Sequence, residues 1–150
     1  MRVIGVRCTK DQLHWVVLEG GTRDNARIVQ YNEARAPVGG DRAEQLGWTR
    51  RELREILVRH TPELACLRVA EAAQNAASSL SRAEMDGVVQ ATLAEIGIPV
   101  RRFLAVSVRA AFRAKRSVDL EAAIETIPCV AATAKSRRDQ LVVAVAGLPA

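Results

Sequence analysis

The chain has 150 residues, 49% of them hydrophobic and only 3% aromatic. That is enough apolar material for one compact domain over residues 1–150 and too little for two. Lys and Arg number 22 against 17 Asp and Glu, for a net charge of +5, and 19 of the 22 are Arg; guanidinium is the better fork for phosphate, so nucleic acid is a permitted partner. No run of about 18 apolar residues exists, which excludes a membrane-spanning helix. Met1 leads directly into Arg2-Val-Ile-Gly-Val without the apolar region and cleavage site of a secretory signal, and a cytoplasmic location is expected. The three cysteines, Cys8, Cys66 and Cys129, are odd in number and too far apart for a metal knuckle, so they read as reduced thiols.

Taken in order, Val3 to Arg7, Gln12 to Leu18 and Arg27 to Tyr31 read as three short strands, with Lys10-Asp11 and Gly20 to Asp24 as turns. The stretch Ala36-Pro-Val-Gly-Gly-Asp41 is loose. A helix is predicted from Thr49 as N-cap, with Glu52 as its capping-box partner and Trp48 stapled onto Leu53; Leu53, Ile56, Leu57 and His60 share its buried face, and Pro62 ends it. Ala65 to Ala70 reads as a buried strand. Ser81 with Glu84 predicts a second helix start, with Met85, Val89, Leu93 and Ile96 on one face and Gly97 at the C′ position. Val100 to Leu104 is the fifth strand. Helices are then predicted from Ser107 through Lys115, over Asp119 to Glu125, and from Ser136 through Ala146. Three antiparallel strands followed by two reached through helical crossovers make an α/β architecture, a mixed five-stranded sheet flanked by helices.

This order resembles the ribonuclease H-like superfamily, and three segments resemble its RuvC-type resolvase branch. Val3-Ile-Gly-Val-Arg7-Cys-Thr-Lys is similar to the first-strand motif in which an apolar-Gly-apolar run precedes a metal-binding Asp. Val69-Ala-Glu71 is similar to the end of the fourth strand, where the family keeps a Glu. Ser136-Arg-Arg-Asp139-Gln-Leu141 is similar to the last helix, where two acids stand three apart. The resemblance implies a nuclease site in which carboxylates hold two Mg²⁺ ions about 3.5–4 Å apart around a phosphodiester. Here Arg7 stands for the first-strand Asp and Ser136 for the first acid of the helix pair. Only Glu71 and Asp139 remain as vestigial catalytic candidates, and Arg7 is a tethered cation that never loses its proton. A degenerate site is expected, with Arg7 in place of metal, no metal ligands and no cofactor; Mg²⁺ enters only if the acid set has been reorganised.

Each of these residues also has a structural reading. Asp139 has capping-box spacing from Ser136, Glu71 is the first polar residue after a buried strand, and Arg7 on a strand can be a snorkelling or edge residue. Asp11 lies four residues after Arg7 but in the hairpin turn, and His14 and His60 have no ligand-spaced partner. The segment from Arg101 to Arg116 holds Arg101, Arg102, Arg109, Arg113, Lys115 and Arg116 with no acid. On one helix, Arg109, Arg113 and Arg116 form a stripe able to follow a phosphate backbone, or to dock on Asp119, Glu121 and Glu125. The reading is a RuvC-like, catalytically degenerate module that binds DNA or RNA or acts in assembly. The alternatives are an active Mg²⁺-dependent, structure-specific endonuclease and a homodimeric protein-binding scaffold built on Ala-rich packing over Val69 to Leu80.

Overall fold

The structure is a computed structural model that describes residues 1–71 and 76–150. Five strands, β1 (Arg2–Cys8), β2 (Gln12–Glu19), β3 (Arg27–Arg35), β4 (Leu64–Arg68) and β5 (Val100–Phe103), form one sheet in the order β3-β2-β1-β4-β5. β1–β2 and β2–β3 pair antiparallel, whereas β1–β4 and β4–β5 pair parallel. This is the mixed sheet expected from the order of elements. β1 lies at its centre.

The even-numbered residues of β1, Ile4, Val6 and Cys8, face a core shared with α1 (Arg42–His60) and α2 (Ala76–Ile96). On the opposite face Val3 packs into a second core dominated by α6 (Asp139–Ala146), whose seven residues from Gln140 to Ala146 are all buried. Three shorter helices complete this layer: α3 (Ala105–Ala111), α4 (Ser117–Glu125) and α5 (Pro128–Ala131). Among the described residues no helix is long and apolar enough to cross a membrane.

Helix starts differ from the sequence reading at five places, α4 by two residues (Ser117 rather than Asp119), and at α1 a different side chain satisfies the exposed N–H groups. α1 begins seven residues before Thr49: after Gly39 at φ +92°, Asp41 takes the N-cap position and accepts from the Glu44 amide at 2.8 Å. Thr49 is instead fully buried inside the helix, its hydroxyl donating to the Gln45 carbonyl at 3.0 Å and facing Met85 Sδ. α2 is already helical at Ala76, so Ser81 and Glu84 lie within it; the Ser81 carbonyl and the Glu84 carboxylate both bind Arg42. α3 starts at Ala105 rather than Ser107, and Ser107 Oγ accepts from the Leu104 amide. The last helix starts at Asp139, because Lys135–Arg137 forms a separate 3-10 turn. The α2 C-terminus is as expected, with Gly97 at φ +85° and the Ile98 amide bonded to the Leu93 carbonyl. The Ala-rich stretch Val69 to Leu80 falls partly outside the described residues.

α6 reaches β1 because Gly5 has no side chain. A Cβ built on Gly5 would lie 2.0 Å from the Gln140 carbonyl oxygen and 2.8 Å from Ala144 Cβ. Backbone, rather than the end of a flexible side chain, bars the larger residue. Gly5→Ala should therefore push α6 off the sheet and destabilise the fold by about 1–3 kcal/mol, read as a lowered urea midpoint with an unchanged denaturant slope.

Candidate functional site

Alternation along a strand places residues two apart on one face. In β1 this puts Val3, Gly5 and Arg7 toward α6, and in β4 it puts Leu64, Cys66 and Arg68 there. Arg7 and Arg68 are register partners at the carboxyl ends of the two parallel strands. The end of the fourth strand, where the family resemblance places a Glu, is thus held by Arg68. Glu71 lies three residues beyond.

Each guanidinium has its own carboxylate. Arg7 Nε is 3.1 Å from Oδ2 of Asp139, the first residue of α6, where a negative charge also favours the helix dipole. Arg68 Nη2 donates to Glu71 Oε2 at 3.1 Å, and its Nη1 donates to the Phe103 and Val69 carbonyls. Glu71 Oε1 accepts from the Ala105 amide at 2.9 Å. That backbone bond, reinforced by Arg68, holds the Glu71 carboxyl below the usual range. Glu71 therefore ties the start of α3 to Arg68, and Arg7 pairs with Asp139. The expected capping bond between Ser136 and Asp139 does not form, since Ser136 lies in the preceding 3-10 turn.

Sequence reasoning missed what lies on the other face of the same strand ends. Arg82 of α2 donates from Nη2 to the Arg68 carbonyl at 3.0 Å, and Asp86, 4% exposed, accepts from the Ala70 amide at 2.7 Å. Asp86 Oδ1 and Arg82 Nε find no partner among the described residues. Burial raises the Asp86 carboxyl above its ordinary value and lowers the Arg82 guanidinium. Burial, with Asp86 nearby, also pushes the Cys8 thiol well up. The available signal was a charged pair at i and i+4 flanking Met85, on the face otherwise read as apolar.

A pair of divalent ions needs several hard oxygen donors converging on one point. Among the described residues no three His, Cys, Asp or Glu side chains cluster in that way. On the α6 side of the strand ends, Asp139 is engaged by Arg7, and Glu71 by Arg68 and the Ala105 amide; Asp86 lies apart on the opposite face. The donor set does not fit an ion pair. Asp11 offers no replacement: it sits in the β1–β2 turn beside Thr9, 3.4 Å from Arg35. His14 pairs with Glu33 across β2 and β3 at 3.2 Å, and His60 packs on Trp15; burial lowers both imidazoles. All three cysteines are free thiols.

The six basic residues of the 101–116 segment do not form one stripe. α3 ends at Ala111, and Arg113 takes a left-handed conformation at φ +55°, so Arg109, Arg113 and Arg116 do not share a helix. Arg116 precedes α4 and is bound by Asp119 at 3.0 Å. Arg101 donates to the Gly147 carbonyl on the α6 side, whereas Arg102 lines a groove with Asp86 and Gln90 on the α2 side. Lys115 and Arg113 are exposed. Arg109 alone lines a cavity of about 200 Å³ that also contains Arg68, Ser117, Lys135 and Asp139. Arg138 anchors its floor, 8% exposed, donating to Glu125 at 2.5 Å and to the Thr133 carbonyl at 2.7 Å.

No family model matches the chain. Two curated relatives, crossover junction endodeoxyribonucleases RuvC from Nitratidesulfovibrio vulgaris strains Hildenborough and DP4, are 42% and 41% identical over 64 residues. Those residues are 43% of this chain and only 39% of either relative. Among solved structures, Thermus thermophilus RuvC superposes with a TM-score of 0.77 at 18% identity, covering 97% of this chain and 92% of that one. The T. thermophilus RuvC complex with a Holliday junction substrate gives 0.76, again at 18% identity, covering 97% and 91%. The yeast mitochondrial Holliday junction resolvase Ydc2 gives 0.63 at 8% identity, covering 96% and 76%. The fold is the one these structures share, the ribonuclease H-like mixed sheet expected from the order of elements.

Two outcomes test this geometry. Because the Arg7–Asp139 pair is partly solvated, with side chains 32% and 62% exposed, Arg7→Ala should cost about 1 kcal/mol or less in a urea melt. A raised folded-state pKa at Asp86 means that the folded state binds a proton where the unfolded chain does not. Wild type should therefore gain stability relative to Asp86→Asn as pH falls from 7 through the raised value toward the ordinary carboxylate range. Urea melts of both proteins across that range read the difference.

Proposed function

We propose that this protein binds branched or otherwise structured DNA and does not cleave it through paired divalent ions. The observation that carries this reading is the register of Arg7 against Arg68 at the carboxyl ends of the central parallel strands. Catalysis of the resolvase type needs carboxylates there to hold ions on the attacking and leaving oxygens. Guanidiniums at those positions would repel the ions and bind the phosphate itself. The likeness to a RuvC structure in complex with a Holliday junction supports DNA as the ligand. The exposed Arg113 and Lys115 beyond the end of α3 add sequence-independent attraction for the backbone.

A second reading, an active Mg²⁺-dependent endonuclease, is favoured by the 42% identical segment shared with a crossover junction endodeoxyribonuclease. It requires Glu71 and Asp139 to leave their guanidinium partners when substrate binds. A homodimeric scaffold is the reading that follows if no nucleic acid is bound.

Purified protein should retard a four-way DNA junction in a gel, with affinity falling steeply with salt, and should yield no cleavage product in millimolar Mg²⁺ or Mn²⁺. Parallel lanes with duplex DNA and structured RNA establish the preferred ligand. Turnover that disappears in both Glu71→Gln and Asp139→Asn would overturn the non-cleaving reading in favour of the nuclease.

A further inference from the structure

We propose that the cavity between Arg68 and Arg109 is a phosphate clasp, in which guanidinium forks seat a phosphodiester group directly and Mg²⁺ competes with the protein instead of assisting it. The inference rests on the reading above for the identity of the ligand, and the site itself rests on the cavity. In an open α/β sheet, ligands bind outside the carboxyl ends of the strands at the point where the strand order reverses. Here that point is β1 and β4, and the cavity opens beside it, lined by Arg68 and by Asp139 at the start of α6. Its volume of about 200 Å³ is below the roughly 300–1,000 Å³ of pockets for drug-sized ligands, and suits a small charged group.

The donors are arranged for an anion. Arg68 is held by the Val69 and Phe103 carbonyls through Nη1 and by Glu71 through one Nη2 proton. Its side chain is only 19% exposed, so little rotamer freedom is left to lose on binding. These bonds engage at most three of the five N–H groups of the guanidinium, so at least two remain to donate. Arg109, in the last turn of α3, has no carboxylate partner among the described residues. Lys135 faces Glu121 at 3.4 Å across the same cavity, and Ser117 adds a hydroxyl. The terminal nitrogens of Arg7, beside Asp139, have no hydrogen-bond acceptor among the described residues. The carboxylates at the rim are thus each matched by a cation, and Arg109 is the charge in excess. A phosphate oxygen pair meeting Arg68 and Arg109 makes charge-assisted bonds of the strong, bidentate kind. A Mg²⁺ ion on those same oxygens would stand against the guanidiniums and withdraw the phosphate from them.

Pyrophosphate serves as the first probe, in thermal melts at ionic strength matched with chloride. Wild type and Arg51→Gln, an exposed change on α1, should rise in Tm together by about 2 °C or more at saturating ligand. Arg68→Gln and Arg109→Gln should each lose the rise, and Arg109→Gln, whose side chain bonds to no other element among the described residues, serves if Arg68→Gln folds poorly. No rise in wild type, or a rise retained in Arg109→Gln, overturns the clasp. The second arm uses a four-way DNA junction: Arg109→Gln should lower the log–log salt slope of binding by about 0.9. At fixed ionic strength, Mg²⁺ should weaken the wild-type complex several-fold; strengthening by Mg²⁺ overturns the proposal. If pyrophosphate protects wild type but no junction is bound, the clasp stands for a free phosphorylated ligand and the DNA reading falls.

Discussion

The approach of α6 to the sheet at Gly5 is the constraint from which the site geometry follows. With no Cβ at that position the helix backbone settles directly onto the central strand, where any side chain would meet the Gln140 carbonyl. The first residue of α6 is thereby brought to the end of β1, two residues along from Gly5 on the same face. Asp139 meets Arg7 there, although 131 residues separate them in the chain. The buried run from Gln140 to Ala146 supplies the apolar burial that holds the helix in place.

Around this contact the end of β4 is fixed from both faces. Arg68 on the α6 side is tied to β5 and, through Glu71, to the start of α3. On the α2 side Arg82 and Asp86 bind the backbone at Arg68 and Ala70. Four charged side chains thus hold one short segment of chain. The burial that makes this strapping strong also raises the Asp86 carboxyl and leaves two polar atoms without a partner among the described residues, a cost that a purely structural core would avoid by apolar packing. Its effect is to hold the strand ends and the guanidiniums upon them in fixed positions, which is what a preorganised anion site requires.

The likeness to RuvC structures extends over nearly the whole chain at 18% identity, while the carboxylate geometry expected of such a nuclease is replaced by paired guanidiniums. The two observations are compatible because the fold depends on apolar patterning and on Gly5, neither of which involves the charge at the strand ends. Acids or arginines can stand at these strand ends with the same register, since either side chain leaves the core at its edge. Architecture and the chemistry of the strand ends can thus vary separately.

The sequence by itself determined the sheet. Alternation in Val3 to Arg7 and Gln12 to Leu18, the turn residues between strands and the two crossover helices are local signals, and each fixes a local geometry. It also determined that Arg7 is a cation where the resemblance expects an acid, and that Asp139 stands before an apolar helix face. Helix starts were less legible, because Ser and Thr serve as caps only when no better acceptor is nearby; Thr49 and Ser81 are instead bound inside helices. The basic stripe failed for a backbone reason, the left-handed turn at Arg113, which no charge spacing reveals. Only the tertiary structure decided which charges meet. The partnering of Glu71 with Arg68, the register of Arg68 beside Arg7 and the strap from Arg82 and Asp86 all depend on how parallel strands align across crossovers and on how helices pack over them. Such long-range alignment is set by the burial of whole faces, and the side chains at the strand ends inherit their neighbours from it.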